Sequence, residues 1–254
     1  FPNLSFYNRA VSYPYFAPNY SFSFYKGQFV KGICFDLDKR IPILSVGSNR
    51  SPYQLKRKFS LDQDICVTPA TLYDSDIVVA TTGKTSRELF EFRSRNNQGH
   101  HRDFLTVGGM GHANQIAMGI ALQKPSRRVF CLDGDGAALM HMGSIAINGN
   151  LQCNNFRHIV LNNGAHDSVG GQSTVGFNID FQNIAKASGY DLVLHAKTNK
   201  EIIQSMEVLK KFDGKVFFEI KVKKGFRKDL GRPTTTPKKN KEDLMKFIRE
   251  NDYE

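Results

Sequence analysis

Tryptophan is absent from this chain of 254 residues, and cysteine is scarce: Cys34, Cys66, Cys131 and Cys153 stand far apart and form no CxxC pair. That spacing excludes the paired-thiolate zinc and redox motifs, and it points to free thiols in a reducing compartment rather than to a disulfide framework. No apolar run approaches the roughly 18 residues that a membrane span needs. The reduced thiols fit the cytoplasm, where the chain is expected, with no membrane partner. A dominant negative charge is missing too. The net charge is +11, and residues 197–254 hold sixteen basic against ten acidic side chains, while 76–196 hold ten against nine. The basic stretch KVKKGFRKDLGRPTTTPKKNK lacks the interleaved aromatics and reader motifs of a nucleic-acid patch. It reads as a solvated tail whose field favours anionic substrates, so no nucleic-acid partner is expected.

What is present is a regular alternation from Asp76 onward. DIVVATTG, DFLTVGGMG, RRVFCLDGDG, FRHIVLNNG, YDLVLHA and KVFFEIKV are short apolar runs of strand type. Between them, TSRELFEFRSR, HANQIAMGIALQ, AALMHMGSIAIN, FQNIAKASG and NKEIIQSMEVLKKF have helical patterning, and KEDLMKFIREN closes the chain as a helix. Alternating strands and helices predict an α/β fold, a mainly parallel sheet with helices on both faces. Residues 1–75 differ. SYPYFAPNYSFSFYKGQF is crowded with aromatics, proline and glycine, and predicts an irregular, short β or small α/β segment, with a boundary near residue 75. FDLDK at 35–39 matches the aspartate pair of haloacid-dehalogenase-type phosphatases only by chance, because Arg40 stands where that motif needs threonine. The GSN loop at 47–49 resembles that of gamma-glutamylcyclotransferase-like proteins, without a matching catalytic acid.

In a parallel sheet, the loops leaving the carboxyl ends of the strands converge on one crevice. Three such loops are unusual here: Gly108-Gly109-Met110-Gly111, Gly134-Asp135-Gly136 and Asn162-Asn163-Gly164. Glycine lets the backbone approach a ligand, and a helix beginning at such a turn offers free N–H groups to phosphate. Asp135 and the asparagine pair supply hard oxygen ligands of the kind Mg²⁺ takes alongside substrate phosphates. Glycine turns, a capping aspartate and an Asx turn would explain each piece separately. They do not explain GDG followed, after twenty-five residues, by NN, each at a predicted strand end.

That combination matches the signature of thiamine-diphosphate-dependent enzymes. ATTGKTSRELFE, GGMGHANQIAMGIAL, CLDGDGAALMHMG and LNNGAHDSVGGQST together resemble the C-terminal half of the phosphonopyruvate decarboxylase family over residues 76–250, with sulfopyruvate decarboxylases as near relatives. The resemblance implies a thiamine-diphosphate-binding fold over 76–254, with thiamine diphosphate and Mg²⁺ as cofactors. It places Asp135, Asn163 and the Ala165 carbonyl on the metal. Main chain at Gly134, Gly136 and Ala137 would meet the diphosphate, and Gly108, Gly109 and Met110 the aminopyrimidine, although Met110 also suits an ordinary core. The implied reaction is decarboxylation of phosphonopyruvate to phosphonoacetaldehyde, with the thiazolium ring as electron sink.

A 2-oxo acid bearing a phosphonate needs cationic and hydrogen-bonding neighbours. Lys84, Arg87, His112, His166, Ser168 and Gln172 are the expected side chains. Arg87 is equally placed to pair with Glu91 at i,i+4. The resemblance also implies a pyrimidine-binding domain with a glutamate on the aminopyrimidine. Nothing in residues 1–75 looks like that domain, and Glu88 and Glu91 lie inside this chain's own helix. A homo-oligomer, or a complex with a pyrimidine-binding subunit, is therefore expected. The alternatives are a sulfopyruvate decarboxylase subunit and an inactive cofactor-binding or subunit-interaction module.

Overall fold

The computed structural model describes residues 22–25, 28–31, 65–67 and 75–250. Three front strands, β1 (Phe22–Tyr25), β2 (Gln28–Lys31) and β3 (Ile65–Val67), pair antiparallel in the order β2-β1-β3. Short β structure is what the turn-rich aromatic composition predicted there. The FDLDK match and the GSN loop at 47–49 lie outside the described residues.

Beyond residue 75 come β4 (Ile77–Ala80), α1 (Lys84–Arg95), β5 (Asp103–Leu105), α2 (Ala113–Gln123) and β6 (Val129–Gly134). They are followed by α3 (Asp135–Met140), α4 (Gly143–Asn150) and β7 (Phe156–Asn162). A small hairpin, β8 (Ala165–His166) with β9 (Gln172–Ser173), precedes α5 (Phe181–Ala187), β10 (Leu192–Ala196), α6 (Asn199–Lys211), β11 (Val216–Lys221) and α7 (Pro237–Glu250). Six strands form one sheet in the order β10-β11-β7-β6-β4-β5, and every pairing in it is parallel. The fold is the α/β architecture that the alternation predicted.

Period-two alternation distributes the strand side chains to two helical layers. Val79, Cys131, Phe156, Val160 and Phe217 pack with Met118 of α2, Ile145 of α4, Phe181 of α5 and Leu244 of α7. Val78, Phe130, Ile159 and Phe218 pack with Leu89 and Phe90 of α1 and with Ile202 and Leu209 of α6. Each such side chain contributes about 1.5–3 kcal/mol by leaving water, which is why the strands read as continuous apolar runs. No helix among the described residues is long and apolar enough to cross a membrane.

Two local expectations are corrected. AALMHMGSIAIN is not one helix: His141 leaves helical geometry (φ −131°, ψ 49°), and α4 begins anew at Gly143. The bond from the Ser144 N–H to the His141 carbonyl, 2.9 Å, closes the turn between them. The first of the two helices starts at Asp135 itself, directly at the end of β6. From β4 the chain passes to β5 on one side and then crosses to β6 on the other. This reversal of direction opens the crevice at the carboxyl ends of β4 and β6.

Candidate active site at the strand ends

Three loops build the crevice wall. After β4, the Thr81 N–H donates to the Leu132 carbonyl at 2.8 Å, and Ser86 Oγ donates to the Thr81 carbonyl at 2.7 Å. After β5, the Gly108 N–H donates to Thr82 Oγ1 at 3.0 Å, tying the second loop to the first. Gly108 and Gly109 take left-handed φ values of 76° and 57°, and a Cβ built on either meets nothing within 4 Å. That backbone is bare and faces open space, the arrangement a bound ligand needs. Gly134, ending β6, also has open space where a Cβ would be.

Asp135 lies at the bottom of the crevice and is only 1 % exposed. Its Oδ1 receives the Asn163 N–H at 3.4 Å, and its Oδ2 receives the Thr174 hydroxyl. No lysine or arginine among the described residues pairs with it. A buried carboxylate held only by neutral donors is costly without a cation. Asn163 stands beside it with its Oδ1 accepting from the Ala165 N–H at 3.0 Å. Sequence positions 28 residues apart thus meet, and Asp135, Asn163 and Ala165 share one corner. His166 packs against the turn from above, since a Cβ on Gly136 would meet its Nδ1 at 2.4 Å.

The other expected side chains divide. Ser168 Oγ accepts from the Lys84 N–H at 3.2 Å and so seats the hairpin loop on the start of α1. Lys84 Nζ lies 3.4 Å from the centroid of the Phe226 ring, and burial, followed by the Arg87 charge, lowers its pKa while Asp167 opposes. Arg87 does not pair with Glu91. Its Nε and Nη2 donate to the Gly231 and Leu230 carbonyls at 2.7 and 3.1 Å, so it clamps the segment after β11. His112 Nδ1 lies 3.2 Å from the Gly109 carbonyl, and its ring is 4.2 Å from that of His141. Gln172 is exposed on β9. Met110 is partly buried beside the glycine turn rather than in the core. Glu88 and Glu91 both pair with Arg227, the former at 2.8 Å.

Sequence reasoning missed Thr174, whose hydroxyl reaches Asp135, and Gly176, where a Cβ would fall 2.5 Å from Asp135 Oδ2. It also missed a polar core beneath the turn. His158 Nε2 is 3.2 Å from Asp133 Oδ2, its Nδ1 is 3.3 Å from the Tyr190 hydroxyl, and Asn114 Nδ2 donates to Asp133 at 3.2 Å. Asp133 Oδ1 in turn accepts from the Gly134 N–H at 3.0 Å, which holds the start of the acidic turn. Cys131 joins this cluster with ligand-like spacing. Burial and the Asp133 charge push its thiol well up, which disfavours the thiolate a metal requires, and hydrogen bonds already satisfy the histidine.

Comparison with known proteins places the chain in a family. The family model described as thiamine pyrophosphate enzyme, C-terminal TPP binding domain, matches residues 81–220, more than half of the chain. The chain is 38 % identical over 160 residues to the phosphonopyruvate decarboxylase of Streptomyces viridochromogenes, covering 63 % of this chain and 39 % of that protein. It is 34 % identical over 121 residues to the sulfopyruvate decarboxylase subunit beta of Methanocaldococcus jannaschii, covering 47 % of this chain and 61 % of that subunit. The chain thus spans about two fifths of the first of these relatives. Among solved structures, benzoylformate decarboxylase from Polynucleobacter necessarius shares the fold, with a TM-score of 0.53 at 18 % identity, covering 61 % of this chain and 32 % of that one.

Proposed function

Because the chain belongs to the thiamine pyrophosphate enzymes, as a bearer of their C-terminal TPP binding domain, we propose that it serves in the decarboxylation of phosphonopyruvate to phosphonoacetaldehyde and CO₂. The observation that carries this reading is the buried carboxylate of Asp135, bonded among the described residues only to neutral donors, one of them the Asn163 N–H. The donor set fits the group: hard oxygens for Mg²⁺, and open space over Gly134 at the turn where a diphosphate would lie. Residues 76–254 form the cofactor-binding unit in this reading, and residues 1–75 a separate segment.

When bound, the cofactor supplies a thiazolium ring that accepts the electrons released as CO₂ departs. The chain's own residues do the rest. Asp135, Asn163 and the Ala165 carbonyl hold Mg²⁺; Gly134, Gly136 and Ala137 present main chain to the diphosphate; Gly108, Gly109 and Met110 line the aminopyrimidine side. Lys84, His112, His166, Ser168 and Gln172 edge the space left for an anionic substrate, and Arg87 fixes the wall behind Lys84 through its two backbone carbonyls.

Glu88 and Glu91 are committed to Arg227, so turnover needs a pyrimidine-binding domain from outside residues 76–254. A relative named as a beta subunit supports a second polypeptide as its source. Steady-state assays with Mg²⁺, thiamine diphosphate and either phosphonopyruvate or sulfopyruvate test the proposal. The chain alone is expected to be inactive, and a pyrimidine-binding partner should restore turnover, faster on the phosphonate. Robust turnover by the lone chain would overturn the dependence on a partner. Preference for the sulfonate would favour a sulfopyruvate decarboxylase subunit, and cofactor binding without turnover in any combination would favour an inactive module.

A further inference from the structure

Behind the two asparagines of the crevice stand two carboxylates outside the sequence motif. Glu219 on β11 is 1 % exposed, and it accepts from Asn162 Nδ2 at 2.6 Å and from Gln182 on α5. Asp167, in the loop between β8 and β9, accepts from Asn163 Nδ2 at 2.7 Å and from the Gly225 N–H at 2.6 Å. An amide has one donor edge and one acceptor edge, and rotation by half a turn exchanges them. An ionised carboxylate only accepts, so it selects the NH₂ edge and turns the amide oxygen the other way. The oxygen of Asn162 then receives the Gly164 N–H at 3.2 Å, and that of Asn163 receives the Ala165 N–H at 3.0 Å beside Asp135.

We propose that Asp167 is a positioning residue for the metal site: it fixes the Asn163 amide with its oxygen toward the cation, while Glu219 and the Gly176 carbonyl, both accepting from Nδ2 at 2.6 Å, together fix Asn162 to shape the turn. This rests on the reading of Asn163 as a magnesium ligand. Partners of metal ligands set ligand orientation, and their loss typically costs about 10–100-fold in metal affinity. Asp167 has a further consequence. Through Gly225 it ties the metal loop to the segment after β11, where Lys224 also holds the Gly171 carbonyl.

The test is calorimetric titration of MgCl₂ into the chain with saturating thiamine diphosphate. Asp167→Asn should lower the apparent Mg²⁺ affinity about 10–100-fold, since its amide no longer selects one edge of Asn163. Combining it with Asn163→Asp should restore affinity, because a carboxylate ligand has oxygen on both edges and needs no orienting partner. A merely structural latch would show no such rescue. Unchanged Mg²⁺ dependence in Asp167→Asn, or loss without rescue in the double variant, overturns the proposal. Glu219→Gln, with its fold checked by circular dichroism, should weaken Mg²⁺ binding in the same direction. No Mg²⁺-dependent binding by the unmodified chain would instead reject the magnesium reading itself.

Discussion

A methyl group has no place at residue 176. A Cβ there would sit 2.5 Å from Asp135 Oδ2 and 2.7 Å from Asn162 Oδ1, two atoms held by their own hydrogen bonds. Gly176→Ala should therefore destabilise the chain by about 1–3 kcal/mol, as overpacking does. It should also weaken Mg²⁺-dependent cofactor binding, read by thermal melts and calorimetry respectively; binding as tight as in the unmodified chain would show that Asp135 is not the ligand. At this scale the sequence was legible where chemistry restricts residue type. Asp135 and Asn163 stand out as candidate hard-oxygen donors at a fixed spacing. Thr174, Gly176, Asp167 and Glu219 do not, because each acts through a contact between distant segments: the Thr174–Asp135 bond spans 39 residues. Charge was legible in Arg87 but its partner was not, since two backbone carbonyls more than 140 positions away carry no sequence signal.

At the scale of elements, α6 opens on a reciprocal cap. Thr198 Oγ1 accepts from the Glu201 N–H at 3.3 Å, and the Glu201 carboxylate accepts from the Thr198 N–H at 2.9 Å, a reciprocal box at the helix start. Thr198→Ala should cost about 1 kcal/mol in urea denaturation at neutral pH. Bonding by the Lys197 N–H, and then by that of Thr198, holds the Glu201 pKa below its ordinary 4.5. The folded value is the lower one, so this contribution is present above about pH 4.5 and fades as pH falls through the folded value. The cost of Thr198→Ala should shrink correspondingly in acid; a pH-independent difference would contradict the coupled cap. The break between α3 and α4 was less legible, because apolar periodicity runs through it and only Gly143 hints at the restart. The hairpin β8–β9 was hidden as well: its paired stretches are two residues each, too short for any alternation to register.

At the scale of the whole molecule, the parallel sheet could be read from the succession of strand and helix, but the strand order could not. That order decides which loops share a crevice, and it brings the turn after β6 beside the end of β7. Apolar side chains remain exposed on loops at that same end, among them Val107 (71 %) and Phe177 (52 %). The proposed function has two distant loops closing around a magnesium ion that grips a thiamine diphosphate. Titration calorimetry of thiamine diphosphate into this chain, with Mg²⁺ and with EDTA, measures that directly. Saturable binding that requires Mg²⁺ and disappears in Asp135→Ala is the predicted result. Binding of equal affinity in EDTA, or in Asp135→Ala with Mg²⁺ present, would contradict it.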